Sequence, residues 1–112
     1  MPTDQLSMVF SALADPTRRA ILTRLAQGEA TVAELAEPFD VSQPAISRHL
    51  KVLEQARLIS RQRRATSRLS RLEATPLRNA TAWLANYQQY WETSYDQLDA
   101  LLDTLTTDGD NP

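Results

Sequence analysis

The sequence predicts a mostly α-helical domain with one small β-hairpin and a long C-terminal helix. Three observations carry this prediction. Apolar residues recur at helical spacing in five successive stretches, most of them opened by a capping residue or a proline. Between the fourth and fifth stretches, two short runs, 58–63 and 67–72, mix apolar and basic residues as paired strands do. The charge is strongly segregated. Residues 48–71 hold eight Lys and Arg against one acid, although the whole chain of 112 residues has a formal charge of -2.

A chain of this length is expected to form a single domain (1–112) with a modest core, for which self-association would be useful. It contains no cysteine, which excludes disulfides, thiolate metal sites and cysteine nucleophiles. No apolar run is long enough to span a membrane and no segment reads as a signal peptide, so a cytoplasmic protein without membrane contact is expected. Two glycines leave little material for backbone phosphate cradles, and no P-loop or Ser-His-Asp ordering is present. The chain therefore does not read as an enzyme, and no cofactor is implied.

The first helix is expected over 4–14, with Leu6, Val9, Phe10 and Leu13 on one face. Asp15 and Pro16 then supply an N-cap and a first helical residue for the second helix, which turns Ile21, Leu22 and Leu25 inward and ends at Gly28. Thr31 and Glu34 stand at the spacing of a capping box and open a third helix whose buried face is Val32, Leu35, Ala36 and Phe39. After the turn Phe39-Asp40-Val41, Ser42 caps a fourth helix with Pro44 in its first turn. Two short helices joined this way, over 31–57, make a helix-turn-helix.

The fourth helix is the informative one. Ile46, Leu50 and Leu53 share one face and should pack inward, whereas Pro44, Ser47, Arg48 and Lys51 point the other way. Such a helix can dock on a core with one side and lie in a DNA groove with the other. Gln43 sits in its first turn. Arg57 stands where a glycine would suit a left-handed cap, so either it holds strained backbone or the helix ends differently. A hairpin over 58–72, with Arg64-Ala65-Thr66 at its tip, continues the basic stripe.

The final helix is expected over 76–106 without interruption. Leu77, Leu84, Trp91, Leu98 and Leu105 fall at one heptad position, and Ala80, Tyr87, Ser94 and Leu101 at another. Trp83, Tyr90, Tyr95 and Leu102 widen the seam. A helix of about 30 residues would run about 45 Å, longer than the domain it leaves, so its outer half needs a partner.

Taken together, the segments Leu13 to Leu22, Val32 to Ala36 and Ser42 to Leu53, in this order with a basic hairpin and a long terminal helix, resemble the ArsR/SmtB family of bacterial repressors. The resemblance covers about residues 6–72. It implies a winged helix-turn-helix homodimer built from the first and last helices, with helix four in the major groove and the hairpin wing on the backbone. It also implies repression of transcription. The metal-sensing branch carries a Cys-x-Cys where this chain has Val32-Ala33-Glu34-Leu35-Ala36, and another branch places Asp and His ligands on the terminal helix. The single histidine here is His49, on the fourth helix, so the chain resembles the branch that senses no metal.

On this reading the DNA-contacting residues are Ser42, Gln43, Pro44, Ala45, Ser47, Arg48 and Lys51 on the helix and Arg61, Arg63, Arg64 and Arg68 on the wing. Gln43, Ser47 and Arg48 are the base-reading candidates, Lys51, Arg61, Arg63, Arg64 and Arg68 hold the backbone, and Ser42 chiefly caps the helix. The dimer interface is expected at Leu6, Val9, Phe10, Leu84, Tyr87, Trp91, Tyr95, Leu98 and Leu101. The aromatic stripe has a sharper alternative, a pocket for a small apolar or aromatic effector between two terminal helices. The alternative function is an interaction module that docks another protein through that aromatic helix. The basic run at 48–71 argues against it, because protein docking has no need of such a run.

Overall fold

The computed structural model describes residues 4–110, leaving aside the side chains at 93–95 and 106–110. The chain divides into two compact units, 1–80 and 81–112. The first contains four helices and a three-stranded sheet. Helix α1 is Gln5–Leu13, α2 is Pro16–Leu25, α3 is Val32–Ala36 and α4 is Gln43–Gln55. Strand β1 is Ala30–Thr31, β2 is Ile59–Arg64 and β3 is Ser67–Leu72.

Side chains that local sequence already marks set the helix starts. Asp4 accepts from the Ser7 backbone N–H, and Asp15 from that of Arg18 ahead of Pro16. Thr31 and Glu34 form the complete capping box, each accepting the other's backbone N–H at 3.2 and 3.1 Å. Ser42 caps α4 by accepting from the Ala45 N–H. Helix α2 stops at Leu25 with Ala26 as its cap, so Gly28 stands one position beyond the C′ place expected of it. Gly28 lies beyond the cap with φ 147°, in backbone that only glycine adopts freely.

The core lies between α1, α2, α3, α4 and the sheet. Ile21, Leu35, Ile46, Leu50, Leu53 and Leu58 are fully buried in it, with Val9, Leu22, Leu25 and Ile59 close behind. Val32 and Phe39, expected inside, are half-buried and pack against its edge. Val9 was expected at a dimer interface. It is 1% exposed in the chain's own core, so it faces inward rather than toward a partner, while Leu6 and Phe10 are half-buried beside it.

Helix α4 ends in a Schellman motif. The Leu58 N–H donates to the Leu53 carbonyl at 3.0 Å and the Arg57 N–H to the Glu54 carbonyl at 2.9 Å. Arg57 takes φ 62°, so of the two alternatives it is the strained, left-handed one that occurs. The motif also seats Leu58 against the core and starts β2 on the next residue.

The hairpin runs one residue further than expected on its first strand. Arg64 pairs with Ser67, leaving Ala65 and Thr66 as a two-residue loop, with Ala65 at φ 53°. The sheet has a third strand that the sequence did not announce. Ala30 pairs with Ser70 and Thr31 with Leu69, giving the order β1-β3-β2, all antiparallel neighbours.

The C-terminal segment departs from the expected uninterrupted helix. Helix α5 (Thr75–Leu84) gives way to a 3₁₀ turn at Ala85–Tyr87, after which α6 (Gln88–Asp110) begins. Asn86 at the centre of that turn favours local hydrogen bonding over helix interior. Within the second unit, Trp83 and Tyr87 hold their rings 5.2 Å apart, tilted, across the turn. No helix among the described residues is long and apolar enough to cross a membrane.

The helix ends make two predictions. Arg57→Gly relieves about 1–2 kcal/mol of left-handed strain and adds about 0.4–1 kcal/mol of unfolded-state freedom, so it should stabilise the protein by roughly 1 kcal/mol. Urea unfolding checks this, and a lower midpoint in the variant would refute the strain. The capping carboxylates give the second. Backbone hydrogen bonds from Ser7, Arg18 and Thr31 hold Asp4, Asp15 and Glu34 below their ordinary pKa values, with the charges of His49 and Arg18 helping at Asp15. Their stabilisation is therefore full above the unfolded-state values and is lost as pH falls through the folded ones. The thermal midpoint should decline below about pH 4.5, and Asp15→Asn should flatten that decline in part.

Candidate nucleic-acid interface

Helix α4 is held on one side by Ile46, Leu50 and Leu53, all at 0% exposure. With that face fixed, Gln43, Pro44, Arg48 and Lys51 emerge exposed on the other. Among the described residues, the side chains of Gln43, Arg48 and Lys51 have no hydrogen bond or ion pair within the chain. Their polar ends are free for an external partner. Ala45 and Ser47 are half-buried, so they contribute less surface than the sequence suggested. Ser42 is exposed but its hydroxyl already serves the helix cap.

His49 does something else. Its Nδ1 lies 3.4 Å from Nη1 of Arg18 and 3.9 Å from Oδ2 of Asp15. The first contact needs an unprotonated Nδ1; the second is an ion pair only when the ring is charged. Arg18 meanwhile donates through Nε to the Ala12 carbonyl and through Nη2 to that of Ser11. The cluster ties α4 to the α1–α2 corner, so His49 positions the helix.

The register of the hairpin sorts the wing arginines. Cross-strand partners share a face of the sheet, so Ile59, Leu72, Arg61, Ser70, Arg63 and Arg68 lie on one side. That face starts in the core and ends in solvent. Ser70 is 1% exposed, and its hydroxyl and the Nε of Arg61 opposite are buried with no hydrogen-bond partner among the described residues. Arg61 is thus half-sunk in the sheet. Further out, Arg63 and Arg68 stand directly opposite each other, both exposed and without an acidic partner among the described residues. Like charges so placed repel, an arrangement that a bound polyanion relieves. Together with Thr66 and Ser67 they line a shallow surface pocket.

Arg64 lies on the opposite face, and its Nη1 reaches Oε1 of Glu29 at 3.4 Å. Sequence reasoning missed Glu29, because nothing local links residues 35 positions apart. Among the described residues, no three His, Asp or Glu side chains group in a way that could hold a metal ion.

The expected interface residues of the second unit are exposed. Leu84, Tyr87, Trp91, Leu98 and Leu101 are 40 to 56% accessible. Tyr95, expected with them, lies outside the described side chains.

Comparison with known proteins agrees with this geometry. Residues 15–61 match the model of the bacterial regulatory protein, arsR family. The chain is 40% identical over 82 residues to the transcriptional repressor SdpR of Bacillus subtilis, covering 73% of this chain and 91% of that one. A crystal structure of an ArsR family transcriptional regulator superposes with TM-score 0.73 at 45% identity, covering 80% of this chain and 98% of the other. The solution structure of a homodimeric winged helix-turn-helix DNA-binding domain from Mycobacterium bovis, a possible ArsR-family regulator, matches with TM-score 0.63 at 28% identity, covering 77% and 81%. With its four-helix and three-strand core, its basic wing and these relatives, the chain belongs to the arsR family of bacterial regulatory proteins and has the winged helix-turn-helix fold.

Proposed function

We propose that the protein is a homodimeric, sequence-specific DNA-binding repressor that reads an inverted repeat, with α4 in the major groove and the wing on the backbone. The observation that carries this reading is the face of α4. Its apolar side is locked in the core while Gln43, Arg48 and Lys51 stand exposed, without a partner among the described residues. Arg48 can pair bidentately with guanine and Gln43 with adenine, each worth about 1–3 kcal/mol of discrimination. Lys51, Arg63 and Arg68 neutralise phosphates, which positions the protein and makes affinity fall with salt.

Self-association is supported by the second unit and by the homodimeric relative from Mycobacterium bovis. Trp91, Leu98, Leu101, Leu102 and Leu105 recur along one side of α6 and are 42 to 58% exposed. A stripe of this size left in water is costly and marks a contact surface. In the first unit, Leu13, Leu22, Leu72 and Leu77 line a shallow, mainly apolar groove that offers further contact area. A two-fold dimer would set its recognition helices on half-sites about one helical turn of DNA apart. Repression accords with the name of the Bacillus subtilis relative.

The test is fluorescence anisotropy on duplex DNA from the protein's own upstream region and on a scrambled duplex, across a salt series. Arg48→Ala with Lys51→Ala should keep the helical circular dichroism and lose at least about tenfold in affinity. Arg63→Ala or Arg68→Ala should weaken both duplexes alike and lower the salt slope by about 0.9 each. Unchanged affinity in all of these variants would remove α4 and the wing from the interface. For the dimer, Trp91→Glu buries a charge in the proposed seam and should shift sedimentation toward monomer at micromolar concentration. A variant that sediments as wild type would place the main contact elsewhere.

A further inference from the structure

Arg64 is the one wing arginine in an ion pair among the described residues, and its partner is not on the wing. Ala30, Ser70 and Arg61 occupy one rung of the sheet. Arg64 lies three residues further toward the hairpin tip, roughly 10 Å along the strand. Its guanidinium nevertheless meets the carboxylate of Glu29, the residue just before Ala30. The side chain is therefore folded back along the sheet. There it shares a cleft with Gln62, Arg71 and the turn after α2. Among the described residues, Arg63 and Arg68 on the other face carry no such tether.

We propose that Glu29 competes with DNA phosphate for Arg64 and so restrains the wing's affinity for DNA backbone. The inference rests on the DNA-binding reading above. Three features fit an exchangeable tether rather than a structural clamp. The pair is exposed, at 68% for Arg64 and 38% for Glu29, where ion pairs contribute little to stability. A single guanidinium nitrogen is engaged, so the fork that suits a phosphate bidentately stays largely unused. The base of the hairpin is already pinned by the β1–β3 bonds at Ala30 and Thr31, so the wing does not need this contact to hold its place. When the wing reaches DNA, a phosphate oxygen replaces the carboxylate on Arg64 and Glu29 is released to water.

The experiment measures binding of a random-sequence duplex at low salt by wild type, Glu29→Gln, Arg64→Ala, the double variant, and Arg63→Ala with Arg68→Ala. Glu29→Gln should bind about two- to fivefold more tightly than wild type, the size of an exposed ion pair. Arg64→Ala should bind more weakly, and the double variant should match Arg64→Ala. Affinity equal to or below wild type in Glu29→Gln overturns the proposal. A gain of the same size in the Arg64→Ala background overturns it too, because Glu29 would then act on DNA directly. The Arg63→Ala, Arg68→Ala variant separates this from the underlying reading: if it loses affinity while Glu29→Gln is neutral, the wing binds DNA and only the tether fails. If it binds as wild type, the wing reading has failed as well. Circular dichroism on each variant confirms that the fold is retained.

Discussion

Burial of the Ile46, Leu50 and Leu53 face of α4 determines where everything functional in the first unit points. Each of these side chains is fully buried, which contributes roughly 1.5–3 kcal/mol apiece. The rotation of the helix about its axis is thereby fixed, and so is the direction of Arg48 and Lys51. The same packing sets the exit of the chain. The Schellman bonds from Arg57 and Leu58 return the backbone into the core, and β2 begins at Ile59 in register with Leu72. Helix α4 and the hairpin are thus joined directly through the Schellman turn.

These short connections have a local cost at each corner. Arg57 and Ala65 hold left-handed backbone that neither residue type favours. The first lets α4 run directly into the sheet. The second closes the hairpin in two residues, which keeps Arg63 and Arg68 opposed. The repulsion between these two guanidinia lies on the strands that flank the two-residue loop in which Ala65 is strained.

Much of this was legible in the sequence, because the determinants are local. Asp15-Pro16, Thr31 with Glu34, and Ser42 each announce a helix start through contacts spanning three residues. The stripe Ile46, Leu50, Leu53 announces which side is buried. The features that were not legible depend on distant partners. Strand β1 is two residues long and exists through pairing with Ser70 and Leu69, and its second residue, Thr31, doubles as the cap of α3. No periodicity can emerge from two residues. Val9 shared the helical face of Leu6 and Phe10, and spacing alone could not separate a residue facing the core from one facing a partner. Arg64 read as one more cation in a basic run. Its pairing with Glu29 is a property of the folded sheet.

The 3₁₀ turn at Ala85–Tyr87 also changes how the C-terminal stripe should be understood. A heptad count assumes about 100° per residue throughout, whereas a 3₁₀ turn advances about 120°. Three such residues shift the helical phase by roughly 60° relative to an unbroken helix. Leu84, just before the turn, therefore does not continue the line of Trp91, Leu98 and Leu105 after it. The earliest members of the heptad count, Leu77 and Ala80, belong to the first unit and are taken up by its core, where Ala80 is 4% exposed and Leu77 packs at the edge. The later residues remain in water within their own unit. One apparent seam in the sequence is thus two surfaces in different surroundings: the first completes a core, and the second stays exposed within its own unit. The aromatic pair Trp83 and Tyr87 spans the turn itself, which accounts for the concentration of large rings at the point where the helical phase changes.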